Sequence, residues 1–275
     1  MGPAINTWPV LGAENDGVLL PLLLKTEICA TPETVESNIL SALGTEYRPF
    51  TPLLQPAHER VVSICGSAPS LEWTHEDVEG DVFACNAAHD FLLDRRIVPR
   101  YQMLWDADPV ITRFFTPRKG VIYLVASRCH PDVLKRLEGF DTVVWHAAGD
   151  ECLQRLLEAQ NRVEPMLGGG SAAVVRAMFL AYAMGYRKMH LFGVDSSYEE
   201  LTHIKKSVVE EQELNVNCLG KWFKTTPWLA MQAEDFKVIG PALRDAGTEI
   251  VVHGSGLVPT IARDFGFSTP NYLGV

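Results

Sequence analysis

Two carboxylates separated by one residue follow a predicted strand and could hold a divalent metal ion. Asp106 and Asp108 come directly after Tyr101–Trp105, a short apolar run. Mg²⁺ takes one or two protein carboxylates together with the oxygens of a phosphate substrate. The pair therefore predicts a Mg²⁺ site, with a helix cap at Asp108, ahead of Pro109, as the alternative.

Two glycine- and serine-rich loops have the composition of phosphate-binding loops. Small residues let a phosphate approach backbone N–H groups, and a helix N-terminus adds partial positive charge. The candidate residues are Gly66, Ser67 and Ser70 in the first loop and Gly168, Gly169, Gly170 and Ser171 in the second. Neither loop has the Walker A or the G-x-G-x-x-G pattern. The alternative for the first loop is an ordinary strand-to-helix turn, and the alternative for the second loop is a flexible linker.

Single polar residues follow two other predicted strands. Asn86 closes Val82–Cys85 and could read a base or sugar edge, or cap the helix that follows. Asp195 and Tyr198 follow Met189–Gly193. We expect Asp195 to orient an acceptor or hold a second metal, and Tyr198 to stack on a ring.

Two further residues have the chemistry of transfer catalysis. His203 could act as a general base or donate to a departing phosphate, and an exposed loop histidine is the alternative. Lys224, within Lys221-Trp222-Phe223-Lys224-Thr225-Thr226, could stabilise developing charge beside aromatic rings. The alternative for that segment is a solvated loop ahead of a helix near Pro227, with Thr226 as its cap.

From about Glu59, short β-branched runs alternate with helical stretches, which predicts a doubly wound α/β fold. The predicted strands are Val61–Cys65, Val82–Cys85, Tyr101–Trp105, Val121–Val125, Thr142–Trp145, Met189–Gly193 and Glu249–Val252. The predicted helices are Ala87–Arg95, Asp132–Leu137, Glu151–Arg162, Ser171–Met184 and about Pro227–Ala246. The central runs are apolar throughout, as in a Rossmann-like, mostly parallel sheet with helices on both faces. Ligands of such sheets bind beyond the carboxyl ends of the strands, where these candidate residues fall.

The first 58 residues differ in composition from the rest. They contain scattered prolines and one helix signal, in which Thr31 caps and Pro32 occupies the first helical position. We expect this helix to run to about Leu43 and end at Gly44. The sequence thus predicts an N-terminal helical and irregular arm or cap over 1–58, and a nucleotide-binding catalytic domain over 59–275.

Composition restricts the partners of the protein. The 275 residues include 24 Lys and Arg against 34 Asp and Glu, a formal net charge of −10. This balance argues against binding to nucleic acid or to an anionic membrane. The most apolar run, Gly17–Leu24, is too short to span a bilayer, and the N-terminus lacks the features of a signal peptide. Six cysteines without a C-x-x-C pattern predict buried thiols and a cytoplasmic location.

The order of these motifs resembles the MptE-like family, named for an archaeal 6-hydroxymethyl-7,8-dihydropterin diphosphokinase. The resemblance extends over about Glu59–Gly256 and rests on Cys65–Leu71, Asn86, Pro99–Asp108, Gly169–Gly185, Leu191–Tyr198 and Gly220–Thr225. The same series is similar to bacterial sialyltransferases that use CMP-sialic acid. One departure is Ala68, because the family loop usually reads Gly-Pro-Ser-Leu. Asp106 and Asp108 match an acidic pair of the diphosphokinase that the sialyltransferase pattern lacks.

The resemblance implies a Mg²⁺-dependent transferase that moves diphosphate from a nucleotide donor to a small acceptor. The donor would be ATP or a nucleotide sugar. A nucleotide-sugar-dependent glycosyltransferase with His203 as base is the first alternative, and a non-catalytic nucleotide-binding protein is the second. A homo-oligomer is compatible with the sequence.

Overall fold

A computed structural model describes residues 12–15, 18–21, 30–150, 152–198 and 213–272 of the chain. The strands are β1 (Gly12–Asn15), β2 (Val18–Pro21), β3 (Arg48–Pro49), β4 (His58–Cys65), β5 (Asp81–Cys85), β6 (Tyr101–Leu104), β7 (Ile122–Ala126), β8 (Asp141–Ala147), β9 (Met166–Leu167), β10 (Tyr186–Phe192), β11 (Leu214–Cys218), β12 (Lys221–Thr225) and β13 (Glu249–Val252). The α-helices are α1 (Pro32–Leu43), α2 (Leu71–Thr74), α3 (Ala88–Asp94), α4 (Pro131–Arg136), α5 (Leu153–Ala159), α6 (Ala173–Ala183), α7 (Pro227–Asp245) and α8 (Leu257–Asp264).

The main sheet is parallel and runs in the order β13-β10-β4-β5-β6-β7-β8-β3, with β9 beside β8. Alternate residues of β5 enter two different hydrophobic clusters, Phe83 and Cys85 in one and Val82 and Ala84 in the other. Both faces of the sheet are therefore covered, which explains why its strands read as continuous apolar runs. The predicted doubly wound, Rossmann-like fold is confirmed.

The strand order reverses at β4. From β4 to β8 each new strand is added on one side, and the chain then crosses over so that β10 pairs with the opposite side of β4. This switch point is where open α/β sheets bind their ligands. The loops that follow β4 and β10 touch there, because Gly66 donates to the carbonyl of Phe192 over 2.8 Å and Ala68 donates to that of Gly193 over 3.1 Å.

The N-terminal helix forms where the sequence predicts it. The Thr31 hydroxyl accepts a hydrogen bond from the Thr34 amide, Pro32 occupies the first turn, and Gly44 ends the helix. Ile39 is buried against α5. The buried Asn38 amide donates to the carbonyls of Ala107 (3.2 Å) and Arg128 (3.1 Å). The arm therefore supports the loops after β6 and β7, while a domain boundary at residue 58 stays a prediction.

A second sheet is missing from the sequence prediction. It is antiparallel, with the order β12-β11-β1-β2. The segment 221–226, for which a solvated loop was the alternative, is mostly strand β12, and Leu219 and Gly220 form the turn with φ of 54° and 79°. Thr226 does cap α7, as that alternative included, by accepting from the Leu229 amide. Pairing of β11 with the distant β1 is a long-range contact that local patterns do not encode.

Among the described residues, no helix combines the length and apolarity needed to cross a membrane.

We expect Gly66→Ala to lower the free energy of unfolding by about 1–3 kcal/mol. A Cβ at this position would overlap the Gly193 carbonyl oxygen and lie 2.9 Å from Cγ2 of Val174. Gly168→Ala is the matched control, because a Cβ there meets nothing within 4 Å. Urea unfolding of both variants measures the difference. Equal stability of the two would contradict close backbone packing at the switch point.

Candidate active site

The loops that carry most of the candidate residues meet around the start of α6. Gly66 packs against the Val174 side chain of the first turn of α6, and Gly170 packs against Val175 and Asp235. Gly193, after β10, touches Gly66 from the other side. Trp105, after β6, lies under the Arg176 side chain of the same helix. Both glycine-rich loops and the acidic pair thus lie along one rim of the sheet.

Asp195 fastens the loop after β10 to the loop after β4. The Ser70 amide donates to Oδ2 of Asp195 over 2.9 Å, and the Ser70 hydroxyl donates to Oδ1. The Asp195 carbonyl accepts from the Leu257 amide at 2.7 Å, at the start of α8. Both carboxylate oxygens are engaged, and the residue is 4% exposed. Ser70 and Asp195 therefore hold the rim together, whereas the sequence predicted that they would contact phosphate and acceptor.

Burial changes the acid–base behaviour of Asp195. Desolvation raises the pKa of its carboxyl to about 7, although the hydrogen bonds from Ser70 act in the opposite direction. The carboxyl is thus close to half-protonated near neutral pH, which makes the Ser70–Asp195 link dependent on pH.

Asn86 has a buried amide oxygen without a partner among the described residues. Its backbone is left-handed, with φ of 50°, and Oδ1 makes no hydrogen bond. α3 begins at Ala88 without a side-chain cap, so the capping alternative is wrong for Asn86. Gln102 fixes the turn by donating to the Asn86 carbonyl over 3.1 Å. In the first loop, Ser67 is half-buried beside the buried Gly66.

The second glycine-rich loop already holds a carboxylate of the protein. The Ser171 amide and hydroxyl both donate to Oδ2 of Asp235, over 2.5 and 2.6 Å. Gly169 has φ of 121°, and a Cβ there would overlap the Phe179 ring. The loop therefore links α7 to the start of α6 through these hydrogen bonds. Both Ser171 donors are used within the protein, whereas the sequence predicted that they would be available to a phosphate. Gly168, Gly169 and Gly170 form the adjoining part of the rim.

The Asp106–Asp108 pair forms a tight turn. Oδ1 of Asp106 accepts from the Asp108 amide over 3.1 Å, and Oδ1 of Asp108 accepts from the Val110 amide over 2.7 Å. Asp108 caps a 3-10 helix that begins at Pro109, which is the alternative that the sequence left open. Burial and the Asp108 charge raise the pKa of Asp106, and Arg128 opposes them.

The acidic pair fits a Mg²⁺ ion only if a ligand supplies most of the coordination. Oδ1 of each carboxylate accepts a backbone amide, and neither carboxylate forms a side-chain hydrogen bond or an ion pair within the described residues. Within the described ranges, no group of three or more His, Cys, Asp or Glu side chains is arranged to hold a metal. Mg²⁺ accepts such minimal protein sites when phosphates and water complete its octahedron.

The aromatic and basic residues predicted for catalysis lie on the flank of the site. The Tyr198 amide donates to the Lys224 carbonyl over 3.0 Å, and Nζ of Lys224 lies 5.8 Å from the Tyr198 ring centre. Nζ of Lys224 forms an ion pair with Glu213 at 2.8 Å. Lys224 is thus near the loop after β10 but has a partner. His203 lies outside the described residues.

Sequence reasoning missed two arginines at the rim. The guanidinium carbons of Arg176 and Arg128 lie 3.8 and 4.3 Å from the centre of the Trp105 ring. Arg176 is 9% exposed, within the otherwise apolar helix α6. Arginine is seldom fully buried unless it is paired, so an arginine inside an apolar helical run is the signal from which the sequence could have indicated this residue.

The chain matches the 6-hydroxymethylpterin diphosphokinase MptE-like family over residues 37–201, more than half of its length. The chain belongs to the MptE-like family. This confirms the family that the motifs resembled. The diphosphokinase for which the family is named is a transferase, the class that the sequence predicted. No curated protein matches the chain in sequence.

This MptE-like chain also shares its fold with a solved glycosyltransferase structure. The MAf glycosyltransferase from Magnetospirillum magneticum AMB-1 superposes with a TM-score of 0.56 and 18% identity, over 82% of this chain and 37% of that one. The chain thus corresponds to little more than a third of the length of that protein. The sialyltransferase CstII from Campylobacter jejuni, in complex with CMP-3FNeuAc, gives 0.38 and 14%, over 78% and 86% of the two chains. A mammalian sialyltransferase gives 0.42 and 9%, over 84% and 82%.

We expect Asp195→Asn to remove a pH dependence of stability. The unfolded chain loses the Asp195 proton near the ordinary pKa of 3.8, whereas the folded protein keeps it up to about pH 7. The stabilising contribution of this protonated carboxyl to the free energy of unfolding is therefore complete below about pH 4. It is lost as the pH rises to 7. The slope reaches about 1.4 kcal/mol per pH unit. Asparagine stays neutral and can still accept from the Ser70 amide.

Urea unfolding between pH 4.5 and 8 tests this prediction, with the exposed Asp245→Asn as control. The difference in free energy of unfolding between wild type and Asp195→Asn should change with pH, and the difference for the control should not. A difference that stays constant from pH 4.5 to 8 would contradict a raised pKa at Asp195.

Proposed function

We propose that this protein is a transferase that binds a nucleotide donor along the carboxyl edge of its parallel sheet. The observation that carries the proposal is the buried amide oxygen of Asn86, which has no hydrogen-bond partner among the described residues. It lies at the end of β5, between the Gly66 loop after β4 and the Trp105 corner after β6. A polar atom buried without a partner is costly, and a bound ligand would remove that cost.

The chemistry of an amide oxygen limits what Asn86 binds. Oδ1 only accepts hydrogen bonds, so its partner must be a donor such as a base amino group or a sugar hydroxyl. A deprotonated phosphate has no such donor. Asn86 therefore fits the nucleoside part of a donor, and the phosphates would lie toward the Gly66 loop or the Trp105 corner.

The first candidate reaction is diphosphate transfer to a small acceptor. Family membership supports it, because the family is named for a diphosphokinase. Phosphoryl transfer requires mainly positioning and neutralisation of charge. The Asp106 and Asp108 carboxylates would hold Mg²⁺, which supplies charge neutralisation when bound. The Gly66 and Gly168–Gly170 loops would border the phosphates, with Ser67 as a hydroxyl donor and Lys224 on the flank.

The second candidate reaction is transfer of a sugar from a nucleotide sugar. The shared fold with the MAf glycosyltransferase supports it, as does the positive charge of Arg128 and Arg176 beside the acidic pair. Such a reaction needs a base for an acceptor hydroxyl, a role that we assign to His203. The third candidate is nucleotide binding without turnover, since a fold does not prove activity.

The remaining partners and the cellular setting are also proposals. We propose a small-molecule acceptor and a cytoplasmic location. Cys65, Cys85, Cys129, Cys152 and Cys218 carry free thiols, which is compatible with a reducing compartment.

We expect Asn86→Gly to weaken nucleotide binding about tenfold, the effect of one lost hydrogen bond. Glycine keeps the left-handed backbone, so the fold should not lose stability. Asn161→Gly is the matched control, since Asn161 also has a positive φ of 54° but is exposed. Calorimetric titration with ATP, CMP and UDP-sugars measures the affinities. Absence of binding throughout this panel, or equal affinities for the two variants, would contradict the proposal.

We expect Asp106→Asn to remove the Mg²⁺-dependent part of nucleotide affinity and leave the Mg²⁺-independent part unchanged. The variant keeps the shape of the turn but removes one of two carboxylate charges. Titrations with Mg²⁺ and with a chelator separate the two parts. An Asp106→Asn protein whose affinity still rises with Mg²⁺ would exclude this pair as the metal site. Turnover that is insensitive to the chelator, with sugar as the transferred group, would favour the glycosyltransferase candidate.

A further inference from the structure

We propose that Arg128 and Arg176, held against Trp105, form an oxyanion-binding subsite that takes the phosphate or diphosphate group of the donor. This inference rests on the proposed function and gives a role to side chains that the sequence analysis did not single out. The subsite lies after β6 and β7 and at the first turn of α6. We call these three residues the arginine corner.

The two guanidinium groups of the arginine corner share one aromatic ring. Their central carbons lie 3.8 Å (Arg176) and 4.3 Å (Arg128) from the Trp105 ring centre. Contact with the aromatic ring partly offsets the cost of burying the cations. The stacking also fixes the planes of both groups, so their N–H donors have a defined direction before any ligand binds.

Several donors of the arginine corner are buried without a partner among the described residues. They are Nε and Nη1 of Arg176 and Nε of Arg128. An unpaired buried donor leaves a desolvation cost that no hydrogen bond offsets, and the cost is larger when the group is charged. Phosphate oxygens are the natural complement, because guanidinium N–H groups match their geometry and charge. The unpaired donors therefore indicate a ligand that accepts hydrogen bonds and carries negative charge.

The carboxylates around the corner leave these donors unpaired. Asp150 binds Nη1 of Arg128 at 2.7 Å, and Asp235 accepts both donors of Ser171 through its Oδ2. Asp106 lies near Arg128 and accepts the Asp108 amide. Oδ2 of Asp150 is a further buried atom without a described partner, and it could accept from a ligand hydroxyl.

Arg176 remains a cation at neutral pH. Burial and the neighbouring Arg128 lower the pKa of Arg176 to about 10, while Asp150 and Asp235 raise it. The two like charges disfavour each other in the absence of an anion. A bound oxyanion would relieve that repulsion, so the corner has an electrostatic reason to bind one.

The position of the corner matches the length of a nucleoside phosphate. Strands β5, β6 and β7 are consecutive neighbours in the sheet. Adjacent strands are about 4.8 Å apart, so Asn86 and the loop of Arg128 are roughly 10 Å from each other along the rim. A nucleoside bound at Asn86 would thus extend its phosphates toward the arginine corner. The Asn38 amide holds the Arg128 carbonyl at 3.1 Å and steadies this end.

We expect wild-type protein to bind inorganic pyrophosphate without Mg²⁺, and Arg176→Met to bind it at least tenfold more weakly. Arg187→Met is the matched control. The Arg187 guanidinium lies 3.8 Å from the Tyr182 ring centre, but it donates to the carbonyls of Tyr182 and Tyr186 at the opposite end of β10. Titration calorimetry measures the affinities. Pyrophosphate should also raise the melting temperature of wild type and of Arg187→Met, but not that of Arg176→Met.

The same variants separate a binding role from a structural one. Without pyrophosphate, Arg176→Met should be at least as stable as wild type, because it removes unpaired buried donors. Arg176→Lys keeps the charge without the planar fork and should bind pyrophosphate with reduced affinity. Wild type that does not bind pyrophosphate would overturn the subsite, as would an Arg176 variant that binds it as tightly as wild type. Nucleotide binding that persists in either case would leave the proposed function standing. Pyrophosphate binding without any nucleotide binding would support the subsite and overturn the proposed function.

Discussion

The contact between the loops after β4 and β10 is the constraint on which the rest of the rim depends. In an open parallel sheet, ligands bind beyond the carboxyl ends of the strands, at the point where neighbouring strands send their connections in different directions. Here that point is held by backbone contact between Gly66 and Gly193 and by the two hydrogen bonds from Ser70 to Asp195. The same aspartate caps α8 through its carbonyl. Asp195, which the sequence indicated as a candidate catalytic residue, thus links two loops of the protein. The candidate ligand contacts lie on either side of it.

Along this rim, polar groups divide into those that already have partners and those that do not. Ser70, Ser171 and Lys224 are engaged by Asp195, Asp235 and Glu213. Asn86, Arg128 and Arg176 retain buried atoms without partners among the described residues. Folded proteins seldom tolerate such atoms, because desolvation is not repaid by a hydrogen bond. The unpaired groups are therefore a better indicator of where a ligand would bind than the composition of the loops is.

The N-terminal arm contributes to the site although its own residues have no catalytic character. The α1 helix packs on α5, and Asn38 binds the carbonyls of Ala107 and Arg128. One buried amide therefore ties the acidic turn and the arginine corner to the same helix. Such a support fixes the distance between the two loops, which matters when they neutralise charge on one ligand. The arm is thus part of the binding architecture as well as of the hydrophobic core.

The sequence by itself determined the parallel sheet, its helices, the α1 cap at Thr31 and the rim on which Asn86 and Gly66 lie. These features follow from local signals, because apolar periodicity and capping residues act over a few neighbours. The tertiary structure alone decided the partners of Asp195 and Ser171, the pairing of β11 with β1, and the stacking of Arg128 and Arg176 on Trp105. Those contacts join segments that are far apart in the chain. Each of these side chains is chemically able either to bind a ligand or to form a contact within the protein. Whether a serine or an aspartate is available to a ligand depends on which distant group contacts it in the folded protein. A local sequence pattern does not contain that information.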